Sequence, residues 1–357
     1  MARRALALAA SLGLLLAAAL PATARNINAD NMYSVHNLQS DVPGAAVGLD
    51  PDLVNGWGIV ASPTSPWWVS DNGTSKSTLY NGNTGAKLGL VVTVPGPPTG
   101  VVFNGNAGDF KVDAGTGLLA ARFIFATDDG QIAGWNGVGT AAINAVTTPD
   151  AVYLGLAIDS SSSAHHLYAA NFAGSRIDVF DNTFAPVHLA GDFTDPGLPS
   201  GYAPFNIQNI GGELYVTYAK VNPAEPDEEL AGEGFGFVSA FGTDGTFHGR
   251  VASAGELNAP WGLARAPANF GKFSGDLLVG NFGDGRIHAF KWSAEDGWEE
   301  HGVLKGTDHT PIEIDGLWGI GFGNGATSGP TNTLFFAAGP DDETHGLFGS
   351  ITAPVNP

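Results

Sequence analysis

Residues 55–60 read NGWGIV, and a phrase of this kind returns five more times along the chain. In five of the six copies an aromatic or small residue precedes a glycine, or once Asn206, and in the other copy Leu154 does; β-branched or aliphatic residues follow, as in a strand. A phrase that recurs about every 50 residues indicates a repeat architecture. The other copies are PTGVVF at 98–103, YLGLAI at 153–158, APFNIQ at 203–208, APWGLA at 259–264 and GLWGIG at 316–321.

Each phrase is followed by a second apolar strand that ends in a polar turn, and generally by a third strand. The turns Asn72-Gly73 and Asp129-Gly130 are typical of β-hairpins. Six units of four antiparallel strands predict an all-β fold, a six-bladed β-propeller. The last unit has only three strands, so we expect the N-terminal segment MYSVHNL, 32–38, to complete that blade and close the ring.

The first 24 residues have the pattern of a signal peptide. Arg3 and Arg4 precede an apolar run at 5–20, and Ala22-Thr23-Ala24 supplies a small-residue cleavage site. We therefore predict a signal peptide at 1–24 and a single propeller domain at 25–357. We expect the mature protein to be a secreted or periplasmic monomer with no membrane-inserted segment after cleavage. The export route is either the general secretory or the twin-arginine pathway.

Charge and cysteine content exclude several classes of function. The formal net charge is −20 and the isoelectric point is about 4.5. Such a surface repels phosphate backbones, so we expect no nucleic-acid partner. The chain has no cysteine, which excludes disulfides, thiolate nucleophiles and cysteine-ligated metal sites.

Nine phrases in order resemble an uncharacterised family of secreted bacterial proteins with an NHL-like six-bladed propeller, and more distantly the calcium-dependent lactonase and phosphotriesterase propellers. The resemblance runs from about Tyr33 to Gly349 and implies the fold but no established activity. The phrases are LVNGWGI, PTGVVFN, GLAID, GYAPFNIQ, LYVTYAK, LNAPWGLA, LLVGNFGDGRI, IDGLWGIGFGN and AGPDDETHGLFG.

Propeller geometry brings the start of each innermost strand and the end of each second strand to one end of the central channel. In the lactonase-like propellers, the position before the recurring glycine resembles the place of a channel calcium ion. Here that position is aromatic in four of six repeats and never acidic. Its tryptophans either pack in the core or form a stacking platform for a ligand. The predicted ligand-binding residues at this end are Asn55, Trp57, Asn206, Tyr218, Asn258, Trp261, Asp315 and Trp318.

The position that closes the second strand holds carboxylates and amides in four repeats. These side chains either bind a hard cation such as calcium, or cap the turns in which they lie. The predicted metal ligands are Asp71, Asp128, Asn171 and Asn281.

Glu343 and His345 share one face if the segment is extended, which makes them the best candidate for a general acid–base pair. An acidic loop at 222–234 either covers the channel end or is a solvated insertion. No complete catalytic motif is present, so two hypotheses remain. The first is a binding module for a small molecule, glycan or protein at the channel end. The alternative is a calcium-dependent hydrolase or lyase that acts on a lactone, ester or sugar.

Overall fold

Six sheets follow one another around a central channel, and one further two-stranded sheet is an insertion. The computed structural model describes residues 31–159 and 165–354, so the predicted signal peptide lies outside the described residues. Each innermost strand contacts the innermost strand of the next sheet, and the sixth contacts the first. The ring is therefore closed, and the predicted six-bladed β-propeller is confirmed. No described segment forms a helix of the length and hydrophobicity that a bilayer crossing requires.

Strands are numbered in chain order, and each blade is given from its innermost to its outermost strand. The bounds for the first three blades are as follows: blade one has β3 (Gly56–Val60), β4 (Trp67–Asp71), β5 (Lys76–Tyr80) and β6 (Lys87–Thr93); blade two has β7 (Pro98–Phe103), β10 (Phe123–Thr127), β11 (Gln131–Trp135) and β12 (Ile143–Thr147), with an inserted hairpin of β8 (Lys111–Asp113) and β9 (Leu118–Ala120); blade three has β13 (Tyr153–Asp159), β14 (His166–Asn171) and β15 (Arg176–Asp181).

The remaining blades include one further insertion and the closing strands. Their bounds are as follows: blade four has β16 (Tyr202–Ile210), β17 (Glu213–Asn222), β19 (Gly236–Phe241) and β20 (Phe247–Ser253), with β18 (Glu225–Leu230) paired to β17; blade five has β21 (Pro260–Arg265), β22 (Leu277–Asn281), β23 (Ile287–Ser293) and β24 (Gly297–Val303); blade six has β25 (Leu317–Phe322), β26 (Thr333–Ala338), β27 (Leu347–Thr352), β1 (Ser34–Ser40) and β2 (Gly48–Leu49). Two short 3-10 turns lie at Asn72–Thr74 and Gly271–Phe273.

The recurring glycine marks where neighbouring innermost strands come too close for a side chain. A Cβ atom on Gly58 would lie 2.6 Å from the carbonyl oxygen of Thr99, and one on Gly319 would lie 2.6 Å from that of Trp57. Real Cβ atoms essentially never approach backbone so closely, so glycine is needed at these two close approaches. The phrase that predicts the repeat therefore has a packing cause.

The N-terminal strand closes the ring as expected. β1 pairs antiparallel with β27, with Val35 opposite Ile351, and the register shifts between Asn37 and Gln39. Tyr33, just before β1, is buried against blade five, where its hydroxyl donates to the carbonyl oxygen of Phe270 at 2.9 Å. The first described strand thus holds the last blade in place.

Blade three differs from the expectation of four strands per unit. After β15 the chain pairs only briefly, through a bridge between Phe180 and Pro186. Proline has no N–H group for a strand ladder. The backbone then leaves the blade, and the N–H groups of Gly191 and Phe193 donate to blade four instead.

Hydrophobic side chains fill the space between adjacent blades. Trp68 of blade one stacks on Phe123 of blade two, with ring centroids 3.9 Å apart. Both rings are buried, and comparable clusters lie between the other blades. This packing fixes the blade angles and so the position of every residue at the channel ends.

Candidate functional site at the acidic end of the channel

Three tryptophans block the channel near the start of the innermost strands. Trp57 and Trp318 stack with centroids 3.4 Å apart, and Trp261 meets both edge-on at about 6 Å. The Nε1 atom of Trp261 donates across the channel to the carbonyl oxygen of Leu154 in blade three, at 3.0 Å. All three side chains are buried, together with Phe205. They form an aromatic plug, and their role as ligand contacts stays a prediction.

A cavity lies beyond the plug, toward the other end of the channel. Its volume is about 250 Å³, and Trp261 forms part of its wall. The rest of the wall comes from the later residues of the innermost strands, such as Ile59, Val101 and Gln208. The plug therefore separates this cavity from the end at which the innermost strands begin.

On the near side of the plug, four polar side chains from three blades form a hydrogen-bonded chain. The Nδ2 atom of Asn55 donates to Glu343 Oε2 at 2.6 Å and to Asn72 Oδ1 at 3.4 Å. The Nδ2 atom of Asn72 in turn donates to Asp128 Oδ2 at 2.9 Å. Asn55 Oδ1 accepts the Nε1 hydrogen of Trp318 at 3.1 Å, so the chain of polar groups rests on the aromatic plug.

The acidic loop at 222–234 extends blade four as the strand β18, which pairs with the end of β17. Blade four lies opposite blade one in the ring. The charge of Glu228 nevertheless interacts with Asp128 of blade two, and that of Glu229 with Glu343 of blade six. The loop therefore brings carboxyl groups near the channel end, while its residues 223–228 remain exposed to solvent. We call this set the acid–amide cluster: Asn55, Asn72, Asp128, Glu228, Glu229 and Glu343.

Carboxyl groups in the cluster are hard to ionise. Burial and the nearby Glu343 raise the pKa of Glu229 to about 7. Burial, followed by the charges of Glu228 and Asp128, also raises the pKa of Glu343, although its hydrogen bond from Asn55 opposes this. The pKa of Asp128 is raised mainly by burial. Carboxyl groups with raised pKa values at a channel end are typical of binding and catalytic sites.

Glu343 and His345 contact different partners. The carboxylate of Glu343 faces Asn55, whereas Nδ1 of His345 is 2.8 Å from Asp41, a residue of the segment that follows β1. That contact raises the pKa of His345. Glu343 also interacts electrostatically with Glu229 of the acidic loop.

The other three predicted metal ligands bond to groups of the protein, and of these three only Asn171 caps its own turn. Asp71 is fully buried and accepts from the hydroxyl of Thr78, and burial raises its pKa well above the usual range. Asn171 accepts from the backbone N–H of Gly174 and donates to Asp178. Asn281 donates to the Glu256 carbonyl oxygen. Within residues 31–159 and 165–354, no three or more acidic or histidine side chains are placed to hold a metal ion.

Two predicted binding residues position the loops of the cluster. Asn258 Oδ1 accepts from the backbone N–H of Gly232 at 2.7 Å, just after β18. Asp315 Oδ2 accepts from the N–H of Asp341 at 2.9 Å, two residues before Glu343. Both contacts hold backbone that carries a cluster carboxylate.

Asn206 and Tyr218, the other two predicted polar binding residues, lie outside the acid–amide cluster. Asn206 occupies the glycine position of the fourth repeat, where its Nδ2 donates to the carbonyl oxygen of Trp261 and links blades four and five. Tyr218 is buried between blades three and four. Sequence reasoning missed Asn72, Glu228 and Glu229 as individual site residues. The only sequence features that pointed to these residues were the Asn-Gly turn, for Asn72, and the run of acidic residues, for Glu228 and Glu229.

Comparisons with known proteins support the fold. No protein-family model matches the chain. A structural genomics protein of unknown function from Bacteroides thetaiotaomicron superposes with a TM-score of 0.54 at 12% identity, covering 90% of this chain and 76% of that one. This likeness shows a shared fold alone.

Two relatives come from Acanthamoeba polyphaga mimivirus. The uncharacterised protein R648 is 35% identical over 335 residues, covering 89% of this chain and 80% of that protein. The uncharacterised protein L690 is 33% identical, covering 89% of this chain and 85% of that protein. These relatives are viral, so the bacterial and secreted character that the sequence resemblance implies stays a prediction. At this identity and coverage, the chain belongs to the same family as these mimivirus proteins of uncharacterised function.

Proposed function

We propose that the protein is a binding module and that the acid–amide cluster takes a small organic ligand with amine or other hydrogen-bond-donating groups. The observation that carries this proposal is the convergence of carboxyl groups from blades two, four and six on one channel end. The charges that raise the pKa values of Asp128, Glu228 and Glu229 all come from other carboxylates.

Electrostatics favours a ligand of this kind. Like charges that are held together and partly buried destabilise the empty site, so a ligand that supplies a positive charge removes repulsion as it binds. The amides of Asn55 and Asn72 add acceptor and donor groups that can orient the ligand. The aromatic plug beneath them stops the ligand from passing into the channel.

Thermal melting with defined probes tests the proposal. We expect putrescine and glucosamine to raise the melting temperature by about 2 °C or more, and neutral glucose to leave it unchanged. The double variant Glu229→Gln/Glu343→Gln should lose this response, whereas Glu299→Gln, on the outer strand of blade five, should keep it. The proposal fails if neither amine stabilises the native protein. It also fails if both amines stabilise the double variant as much as they stabilise the native protein.

A second candidate function is a hydrolase or lyase that acts on a lactone, ester or sugar. The specific observation in its favour is Glu229, whose pKa of about 7 suits proton transfer near neutral pH, beside a second carboxyl group. With dihydrocoumarin and p-nitrophenyl acetate as probes, this candidate predicts a rate that changes near pH 7 and is lost in Glu229→Gln. A pH-independent rate, or an unchanged one in the variant, rejects it. Elemental mass spectrometry and melting with a chelator test its calcium-dependent form.

We also propose that the protein is exported as a monomer after cleavage between residues 24 and 25. The pattern of residues 1–24 supports export, and ring closure supports a monomer because every blade already has a neighbouring blade on both sides. N-terminal sequencing of the mature protein and its sedimentation in solution test both points. An intact N-terminus or a stable dimer would contradict them.

A further inference from the structure

An aromatic cleft lies on the outer part of the ring, between blades four and five, away from the acid–amide cluster. Its volume is about 300 Å³. The cleft contains three aromatic side chains and one residue of each charge. We call it the rim cleft, and its lining residues are Glu213, Tyr215, Ala240, Arg265, Trp292 and Trp298.

Trp292 is the unusual member of this set. It is 57% exposed, whereas Trp57, Trp261 and Trp318 are buried in the plug. Trp292 pairs directly across the β23–β24 hairpin with Trp298, so the two indoles leave the same face of the sheet. An exposed indole contributes little to the core and offers a large apolar face to a ligand.

The polar groups of the rim cleft are held in place. The Nη2 atom of Arg265 donates to the hydroxyl of Tyr215 at 3.0 Å, and its guanidinium lies 5.2 Å from the ring centre of Trp298. A guanidinium has five N–H donors, so several remain for a ligand. Glu213 is fixed by a 2.9 Å contact with Nδ1 of His248 and keeps further acceptor capacity.

We propose that the rim cleft binds a carbohydrate. A pyranose ring has an apolar face of C–H groups that can stack on an indole, and hydroxyl groups at its edge that both donate and accept hydrogen bonds. Trp292 and Trp298 supply the apolar surface, Arg265 supplies donors and Glu213 supplies acceptors. The opposite charges of Arg265 and Glu213 balance, which favours a neutral sugar over an ion. The cleft volume lies at the lower end of the range typical of small-molecule sites.

Saturation-transfer NMR with cellobiose, maltose, lactose and chitobiose tests this assignment. We expect at least one disaccharide to receive saturation through its ring C–H protons and to quench tryptophan fluorescence. Trp292→Ala should weaken its binding at least tenfold without lowering the melting temperature, because Trp292 is exposed. Trp292→Phe, which keeps an aromatic face, should recover part of the affinity.

Leu118→Ala serves as the matched control, because Leu118 is 66% exposed on the inserted hairpin of blade two. It should bind the sugar as the native protein does. Glu343→Gln should also leave sugar binding unchanged, which separates this site from the acid–amide cluster. The proposal is overturned if none of the four disaccharides binds, or if binding is the same in Trp292→Ala.

Discussion

The side-chain amide of Asn55 donates a 2.6 Å hydrogen bond to the carboxylate of Glu343, a residue 288 positions further along the chain. Asn55 directly precedes the first blade, and Glu343 lies in the turn before the third strand of the last blade. The bond therefore spans the junction at which the ring closes. Because Asn55 also accepts from Trp318, one residue couples the polar site to the aromatic plug.

Replacement of Asn55 by aspartate should destabilise the protein. The backbone of Asn55 has a φ of 49°, a conformation that aspartate also tolerates, so the fold can accept the new side chain. The variant keeps an acceptor for Trp318 but places a carboxylate where Glu343 now receives a proton donor. We expect the free energy of unfolding to fall by about 1–3 kcal/mol at neutral pH, measured by urea denaturation. Asn144→Asp, on the outer strand of blade two, should be close to neutral, and an equal loss in both variants would contradict the prediction.

Gly319→Ala should be costly because its Cβ would lie 2.6 Å from the carbonyl oxygen of Trp57. The neighbouring innermost strand must then move, at a cost of about 1–3 kcal/mol. Gly89→Ala is the matched control, since a Cβ atom there meets nothing within 4 Å. Melting temperatures of the two variants test the packing explanation of the repeat. A tolerated Gly319→Ala would refute it.

Tyr33 should stabilise the closure of the ring. Tyr33→Phe removes the hydrogen bond to Phe270 and should cost about 1 kcal/mol, while Tyr33→Ala also empties a buried site and should cost about 3–5 kcal/mol. Val35→Ala, at a 40% exposed position in β1, should have little effect. Denaturant titration distinguishes these cases. Similar losses for Tyr33→Ala and Val35→Ala would show that Tyr33 has no special role.

The raised pKa of Glu229 predicts that stability falls as the pH rises. Between its usual value of 4.5 and its value of about 7 in the folded protein, the folded state binds more protons than the unfolded state. The contribution of Glu229 to the free energy of unfolding is therefore largest below pH 4.5. It decreases as the pH rises and is lost above about pH 7. We expect a loss of roughly 2 kcal/mol between about pH 5 and pH 8.

Glu229→Gln cannot ionise, so its unfolding free energy should depend less on pH and should exceed that of the native protein at pH 8. Glu299→Gln should keep the native pH dependence. Urea denaturation of the three proteins at both pH values provides the comparison. An unchanged slope in Glu229→Gln would mean that Glu229 ionises normally in the folded state.

Much of the fold could be predicted because the same close approach of innermost strands requires glycine in repeat after repeat. The glycine beside Trp57 and the glycine beside Trp318 are required by the same close approach of strands, so the constraint is visible in the sequence. The absence of a fourth strand from blade three has no such signal in the sequence. After Pro186 the backbone forms hydrogen bonds with blade four instead of continuing blade three. No local sequence pattern predicts this contact.

The site was less predictable because its members come from distant segments. The sequence could place Asn55 and Asp128 at one end of the channel, since both adjoin strands that meet there. It could not place Glu229, which depends on the direction in which an inserted strand folds back over the ring. Nor could it separate Glu343 from His345, because the turn between β26 and β27 has positive φ angles at Asp341, Asp342 and Glu343 rather than extended backbone.

The closure of the ring by β1 also constrains biosynthesis. β27, the partner of β1, is synthesised about 300 residues after β1. Blades one to five can form from local hairpins as they emerge, but blade six must wait until β27 has been made. This one pairing therefore has a very high contact order, and a polypeptide truncated before β27 would expose an unpaired β1. We expect such nascent fragments to depend on chaperones, whereas the completed protein presents no open edge at this junction.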